Sequence, residues 1–485
     1  MSFKDKTISG FLWSFIERSA AQIITFIVGI ILARLLSPRE FGLLGMMMVF
    51  IAVSSVFIQS GFNQALIRKN DCTENDFSTV FYFNLLISIV FYFILFFSAG
   101  LISDFYDEPR LQQLIRVLGL GLIINALTIV QRTKITKRID FRLLTKISVI
   151  SSILSGLVGI IMAIMGYGIW SLVAKTISMY FITGVLLWLW NNWKPKLIFS
   201  ISSFKELWSF GSRLMILGVF DAIHREVYQI VIGKFYPAAY VGQFNRAETF
   251  KRLPEQNLSQ ILQRVTLPAM ATIQDDFKYL SNSYKKLINA TFLVASFSMV
   301  ILSAVSVELV EVLIGEKWKM AGEFLQILCI SSIFYPLSAI NQSILKTKGE
   351  ANHILYIGLV MKALTIPLIL IVIFIDIKTM LYGLIAHKLI GYILTAHYGG
   401  KLINYDTTKQ VKNFIPPALI LSIIYIVLLL INNLLTLPIY QSIIISLFLG
   451  GIISLSCFEL FKIDSYLFLK KLAKEKINTY KNRRK

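Results

Sequence analysis

Charged and amide side chains recur at helical spacing inside long apolar runs of this 485-residue chain, and they are the residues equipped for chemistry. In the run 8–33, Ser14, Arg18, Gln22, Thr25 and Gly29 fall on one helical stripe. In the run 207–232, Arg213, Asp221, His224, Arg225 and Tyr228 fall within about 120° on an ideal helix. In the run 240–267, Glu248, Lys251, Arg252, Glu255 and Ser259 follow i, i+3, i+4, i+7 and i+11, while Phe250, Leu253, Leu258, Ile261 and Leu262 take the other side. Charges at membrane depth are costly and face water or each other. One reading is a water-filled cavity lined by these three helices, whose cations would meet an anionic ligand. Arg suits phosphate because its planar fork donates in pairs. Two structural readings stand beside it: ion pairs that hold helices, such as Glu248–Arg252 at i, i+4, or 240–267 as an amphipathic helix lying on the membrane surface. Lys175, Lys362 and Lys388 are further intramembrane cations, placed either to snorkel or to meet a ligand.

The elements that must position these residues are membrane spans, each needing roughly 20 apolar residues. Fourteen runs qualify: 8–33, 41–62, 79–102, 111–130, 143–165, 169–190, 207–232, 240–267, 288–310, 323–344, 354–376, 380–400, 413–433 and 438–461. With the N-terminus cytoplasmic, and with Lys146 at the edge of its run counted in the preceding loop, 30 of the 48 Lys and Arg fall in inside segments, seven in outside gaps and 11 within spans. That split is a strong positive-inside signal. It places both termini in the cytoplasm and predicts an all-α, multi-pass membrane protein. With 56% hydrophobic and only 15% charged residues, the composition agrees. A net charge of +21 invites a nucleic-acid reading. That reading fails because the charge is spread over short loops, as insertion topology requires. The basic tail, 470–485, is expected to lie against anionic headgroups or to end as solvated chain.

Much is excluded. The first run carries Glu17 and Arg18 and lacks a small-residue cleavage site, so it reads as a retained span rather than a signal peptide. Cys72, Cys329 and Cys457 have no metal or redox spacing. No G-x-x-x-x-G-K-[ST] loop and no H-E-x-x-H occurs, His224, His353, His387 and His397 are scattered, and nothing resembles a nucleophile with a paired base. A barrel would alternate apolar with polar residues, and these runs do not. The chain reads as a non-enzyme with no metal or other cofactor.

An internal repeat runs through it. LWSF occurs at 12–15 and at 207–210. Arg34-Leu35-Leu36-Ser37-Pro38 leads to Gly42, and Lys234-Phe235-Tyr236-Pro237 leads to Gly242. Six spans separate the copies, so both share one orientation, a parallel repeat. The expected organisation is an N-lobe (1–200, spans one to six), a C-lobe (201–405, spans seven to twelve), spans thirteen and fourteen (406–462) and the basic tail (463–485).

The stretches GFLWSFIERSAAQIITFIVGIILARLLSPREFGLLGMMMVF (10–50), SGFNQALIRK (60–69), VIGKFYPAAYVGQFNRAETFKRLPEQN (231–257) and RVTLPAMATIQDD (264–276) resemble the polysaccharide transporter family, and within it the WzxC-like exporters of lipid-linked oligosaccharides. The larger superfamily includes MurJ and the MATE drug exporters. The resemblance implies a V-shaped, two-lobe transporter working by alternating access. Its implied partner is an undecaprenyl-pyrophosphate-linked oligosaccharide, carried from the cytoplasmic to the periplasmic leaflet for surface polysaccharide such as O-antigen, capsule or exopolysaccharide. Membrane lipids and other polysaccharide-assembly proteins are further implied partners. Arg18, Gln22, Arg213, Arg225, Tyr228, Lys251 and Arg252 become the expected substrate contacts. Glu17, Asp221, Glu226, Glu248 and Glu255 are the groups able to couple to protons or sodium. Two other functions stay open. A MATE-type drug exporter would favour acidic and aromatic cavity residues, and a polymerase or ligase would carry a large external loop.

Overall fold

The computed structural model describes the backbone of residues 3–273, 275–434 and 438–482; the side chains of 3–12, 14–18, 257, 260–265, 267–269, 271, 433, 473 and 476–482 lie outside the described set. The described residues form α-helices and one 3-10 turn. In order, the helices are α1 (Phe3–Leu35), α2 (Pro38–Gln59), α3 (Phe62–Arg68), α4 (Glu74–Tyr106), α5 (Arg110–Lys137), α6 (Phe141–Ile164) and α7 (Ile169–Trp190). There follow α8 (Ile201–Phe235), α9 (Ala238–Thr272), α10 (Phe277–Ala304), α11 (Ser306–Ile314), α12 (Lys319–Ser332) and α13 (Phe334–Thr347). The last are α14 (Ala351–Ala363), α15 (Thr365–Phe374), α16 (Ile377–Lys401), α17 (Thr407–Leu434), α18 (Ile439–Leu460) and α19 (Asp464–Asn482). Their starts are written in the sequence. Pro38 opens α2 while the Glu40 carboxylate accepts from the Ser37 backbone N–H at 2.6 Å. Thr73 and Asp76 cap α4 reciprocally, and Asp140, Asp276 and Asp376 cap α6, α10 and α16.

Every apolar run read from the sequence coincides with one helix or two in tandem. Among the described residues, 11 helices or tandem pairs are long and apolar enough to cross a membrane, against the 14 spans expected. The long helices α8 and α9, which carry polar stripes, are not among them, and in α1 the described side chains form a shorter apolar stretch, Ser19–Leu35. Three runs are broken. The run 288–310 divides at Val305, 323–344 at Ile333 and 354–376 at Leu364. Pro336 and Pro367 each sit within three residues of a break, where their missing N–H leaves a carbonyl of the preceding turn without its helical donor.

The chain forms two compact units, 1–242 and 243–485. In the first, α4 packs on α5, α1 on α6, and α7 on both α5 and α6. Lipid is as apolar as the side chains, so close helix approach there depends on small residues. On α6, Ser148, Ser151, Ser152 and Ser155 are buried, and Gly156 seats the Val28 side chain of α1. Also in this unit, α2 packs along α8, and Gly61, at φ +67° between α2 and α3, meets the Gly211 backbone. Gly42 of α2 likewise meets Ala238 and Gly242 at the start of α9, with no room for a side chain. In the second unit, α16 packs on α12 and α13, and α10 on α12 and α17.

The segment 191–200, between α7 and α8, is strapped to α4 and α5. Trp193 Nε1 donates to Glu74 Oε2 at 2.5 Å, and Lys134 Nζ lies 2.7 Å from Glu74 Oε1, over the Phe77 and Trp193 rings. Gln131 Nε2 donates to the Trp193 carbonyl, and the Lys196 and Ser200 N–H groups donate to Ser78 and Thr79. Within the basic tail, α19 packs on α10, with Lys286 over the Phe468 ring.

Candidate functional site

On α8, Arg213, Asp221 and Arg225 are exposed, while His224, Glu226 and Tyr228 are half-buried. Arg225 Nε lies 3.6 Å from Glu226 Oε1, and Gln229 Nε2 donates to Glu226 Oε2 at 3.0 Å. The Arg225 side chain stays 59% exposed, so the neighbouring carboxylate does not bury it. This helix therefore presents cationic side chains at the depth where apolar neighbours such as Ile216, Leu217 and Phe220 are also exposed. Gln22 is half-buried on α1. Glu17 and Arg18 share that helix, but their side chains lie outside the described residues.

The α9 stripe forms a denser cluster in the second unit. Lys251 is buried, with Nζ 2.6 Å from Glu248 Oε1 and 3.7 Å from Glu255 Oε2. Arg252 Nε lies 3.4 Å from Glu248 Oε2, and its side chain remains 44% exposed. The Glu248–Arg252 pair offered as a structural reading is thus present. Lys388 of α16 comes within electrostatic range of Glu248, Glu255 and Lys251. Half-buried, it joins Lys251 and Arg252 as a third cation against two carboxylates. Val241, Phe244, Ala247 and Phe250 are buried along with Lys251, Glu255 and Ser259. A helix lying on a membrane surface would expose its polar face, and this one buries much of it.

The arrangement separates the candidates by what they can do. Lys251 is held between two carboxylates, Glu248 and Glu255. Arg225 and Arg252 keep exposed guanidinium groups able to donate in pairs to an anion. Among the described residues, no group of three His, Cys, Asp or Glu side chains is arranged to hold a metal ion. His353 pairs with Glu350 at 3.0 Å, and His387 Nε2 lies 2.9 Å from the Met361 carbonyl. Cys72, Cys329 and Cys457 are free thiols.

A family described as "Polysaccharide biosynthesis protein" matches residues 31–323. The lipopolysaccharide biosynthesis protein WzxC of Escherichia coli is 26% identical over 381 residues, which cover 76% of each chain. The teichuronic acid biosynthesis protein TuaB of Bacillus subtilis is 25% identical, over 73% of this chain and 74% of its own. The succinoglycan biosynthesis transport protein ExoT of Rhizobium meliloti is 24% identical, over 66% and 65%. Among solved structures, the lipid II flippase MurJ in an inward closed conformation aligns with a TM-score of 0.75 at 15% identity, covering 94% of this chain and 99% of that one. An inward-facing multidrug MATE transporter aligns at 0.62 and 13% identity, covering 81% and 98%. The fold is the one these transporters share.

Proposed function

The chain belongs to the polysaccharide biosynthesis protein family, and from that premise we propose that it is a flippase for a lipid-linked glycan. It moves an undecaprenyl-pyrophosphate-linked repeat unit from the cytoplasmic to the outer leaflet of the plasma membrane, for assembly of a surface polysaccharide. The observation that carries this reading is the set of exposed guanidinium groups, Arg225 on α8 and Arg252 on α9, on helices too polar to be ordinary lipid-facing spans. A pyrophosphate-sugar headgroup cannot cross hydrocarbon unaided. Cations held at that depth replace part of its hydration, while the prenyl tail stays in lipid. The named activities of WzxC, ExoT and MurJ point the same way. An excess of cations over acids suits an anionic substrate better than the cationic drugs of a multidrug exporter. Alternating access supplies the motion, biased by the substrate's differential affinity for the two states. Glu226, Glu248 and Glu255 are the groups to which a coupling proton or sodium ion would bind. Both termini face the cytoplasm in this scheme.

Deletion of the gene tests the reading. Lipid-linked repeat units should accumulate in the inner leaflet, and surface polysaccharide should disappear. Unchanged polysaccharide in the deletion strain, with normal cell-associated glycolipid, would overturn it.

A further inference from the structure

Away from these charges, the first unit holds a cavity of about 400 Å³ between the α2–α3 junction, α5 and α7. Asn125, Thr128, Arg132 and Thr136 supply one wall, at i, i+3, i+7 and i+11 along a single face of α5. Gln59 and Asn63 stand opposite, with Tyr180 and Thr183 of α7 at the side. No lining residue is acidic. The hydroxyls lie beside the amides. Thr133 Oγ1 donates to the Ile129 carbonyl at 2.9 Å and sits 3.2 Å from Asn63 Oδ1, and Thr128 Oγ1 donates to the Asn125 carbonyl at 2.7 Å and sits 3.3 Å from Asn125 Oδ1. Amides and hydroxyls together border the cavity's space.

Polar neutral groups inside an otherwise apolar bundle are costly unless they have partners. A dry packing role alone does not explain them, since they border open volume as well as one another. The volume lies within the range of small-molecule sites, about 300–1,000 Å³, and suits one or two sugar rings. Amides and hydroxyls match the hydroxyls of a sugar, and an aromatic ring offers an apolar face to its C–H side. An acyl chain would meet a largely polar wall here. A cationic drug would meet Arg132 with no carboxylate to offset it.

We propose that this cavity is a carbohydrate subsite, which holds sugar rings of the lipid-linked glycan while Arg132 takes an adjacent anionic group. That group is either the pyrophosphate or an acidic sugar substituent. The proposal rests on the flippase reading and deepens it, since neutral amides add recognition of sugar to the recognition of charge. By the positive-inside reading, Arg132 stands at the cytoplasmic end of α5. Asn125 lies about 10 Å deeper, at 1.5 Å of rise per residue. The site would meet the glycan on the side where it is made.

A photo-cross-linking amino acid replacing Met179, which also lines the cavity, or Ile129 if that variant is poorly expressed, gives a direct test. Two radiophosphate-labelled probes are used in purified membranes: undecaprenyl pyrophosphate, and the lipid-linked glycan extracted from the deletion strain. Capture of the glycan-bearing lipid and little of the bare pyrophosphate is expected. Asn125→Leu, or the milder Thr183→Val, should lower that capture by about tenfold, the effect of a lost hydrogen bond in a desolvated site. Arg132→Gln should lower capture as well. If a chemically neutralised glycan escapes that loss, an acidic sugar is the anion; if it does not, the pyrophosphate is. Equal capture of both probes would overturn the proposal, and so would capture of neither. A deletion strain that accumulates glycolipid while the cavity captures none removes the subsite and spares the flippase reading. A deletion strain with no polysaccharide defect removes both.

Discussion

Gly42 and Gly242 cross backbone to backbone, each occupying the space that a side chain on the other would need. A Cβ placed on Gly42 would come closer than 3.0 Å to the Ala238 carbonyl and lie 3.2 Å from Gly242 N. A Cβ placed on Gly242 would crowd the Pro38 carbonyl in the same way and lie 3.0 Å from Gly42 N. The relation is reciprocal, and the four positions are offset by 200 within the repeated turn. A repeat visible only as sequence thus reappears as a pseudo-symmetric contact.

Gly42→Ala and Gly242→Ala should each be poorly tolerated, because the obstructing atoms are backbone and cannot swing aside. A loss of about 3 kcal/mol or more is expected, in the overpacking range, with lower membrane abundance and melting temperature. Gly358→Ala and Gly451→Ala meet nothing within 4 Å in mid-helix and should be neutral or slightly stabilising. Thermal melts of the four detergent-purified variants, side by side, make the comparison.

Arg225→Ala and Arg252→Ala should fold and reach the membrane normally, yet reduce surface polysaccharide about tenfold or more, the cost of losing a charge-assisted contact to substrate. Lys251→Met should behave differently. It strands Glu255 as a buried carboxylate beside an apolar side chain and leaves Glu248 with Arg252 alone, a loss of roughly 3–5 kcal/mol. Immunoblots of membrane fractions beside polysaccharide assays separate the two classes. Full export by both arginine variants would remove those residues from the mechanism.

Arg138 and Arg110 are exposed at opposite ends of α5 and suit topology reporters. In a cysteine-free background, Arg110→Cys should react with an impermeant thiol reagent added to intact cells. Arg138→Cys should react only after permeabilisation. The reverse pattern would invert the topology.

Asp376 caps α16, accepting from Thr379 N at 2.8 Å and Thr379 Oγ1 at 2.7 Å. The backbone hydrogen bond from Thr379, reinforced by its hydroxyl, holds the carboxyl below its ordinary value of 3.8. Its folded pKa is depressed, so the stability it contributes is present above pH 3.8 and lost as pH falls through the lower folded value. Asp376→Ala should cost about 1 kcal/mol at neutral pH, and Asp376→Asn much less. The gap between wild type and Asp376→Ala should narrow in melts below pH 3.8.

What could be read in advance followed from properties that a span imposes on its own sequence. Length and hydropathy located every long helix except α19, which reads in the sequence only as a basic tail, and the charge stripes singled out α1, α8 and α9. Features that depend on distant partners could not be read. Lys251 shows as a cation with carboxylates three residues before and four after it, but its burial depends on what packs over α9. Nothing in the spacing of Lys388 placed it within electrostatic range of that cluster. The Pro336 and Pro367 breaks were legible in principle, since proline costs a helical hydrogen bond, yet uninterrupted hydropathy masked them. The α5 wall of the polar cavity was also legible as spacing. It is built mostly from neutral amides and hydroxyls, which a search for intramembrane charge passes over.

The strap from Asn191 to Ser200 decides where related chains can exchange their halves. A crossover at 200/201, where the repeated sequence begins again, would require two parents to agree on Trp193 with Glu74, Lys196 with Ser78 and Gly211 with Gly61. A crossover at 242/243 keeps each of those partnerships, and the Gly42–Gly242 crossing, within one parent. Viable hybrids should therefore inherit eight helices and the first turn of the ninth from a single ancestor, so that the portion inherited as a block is longer than the portion that was duplicated.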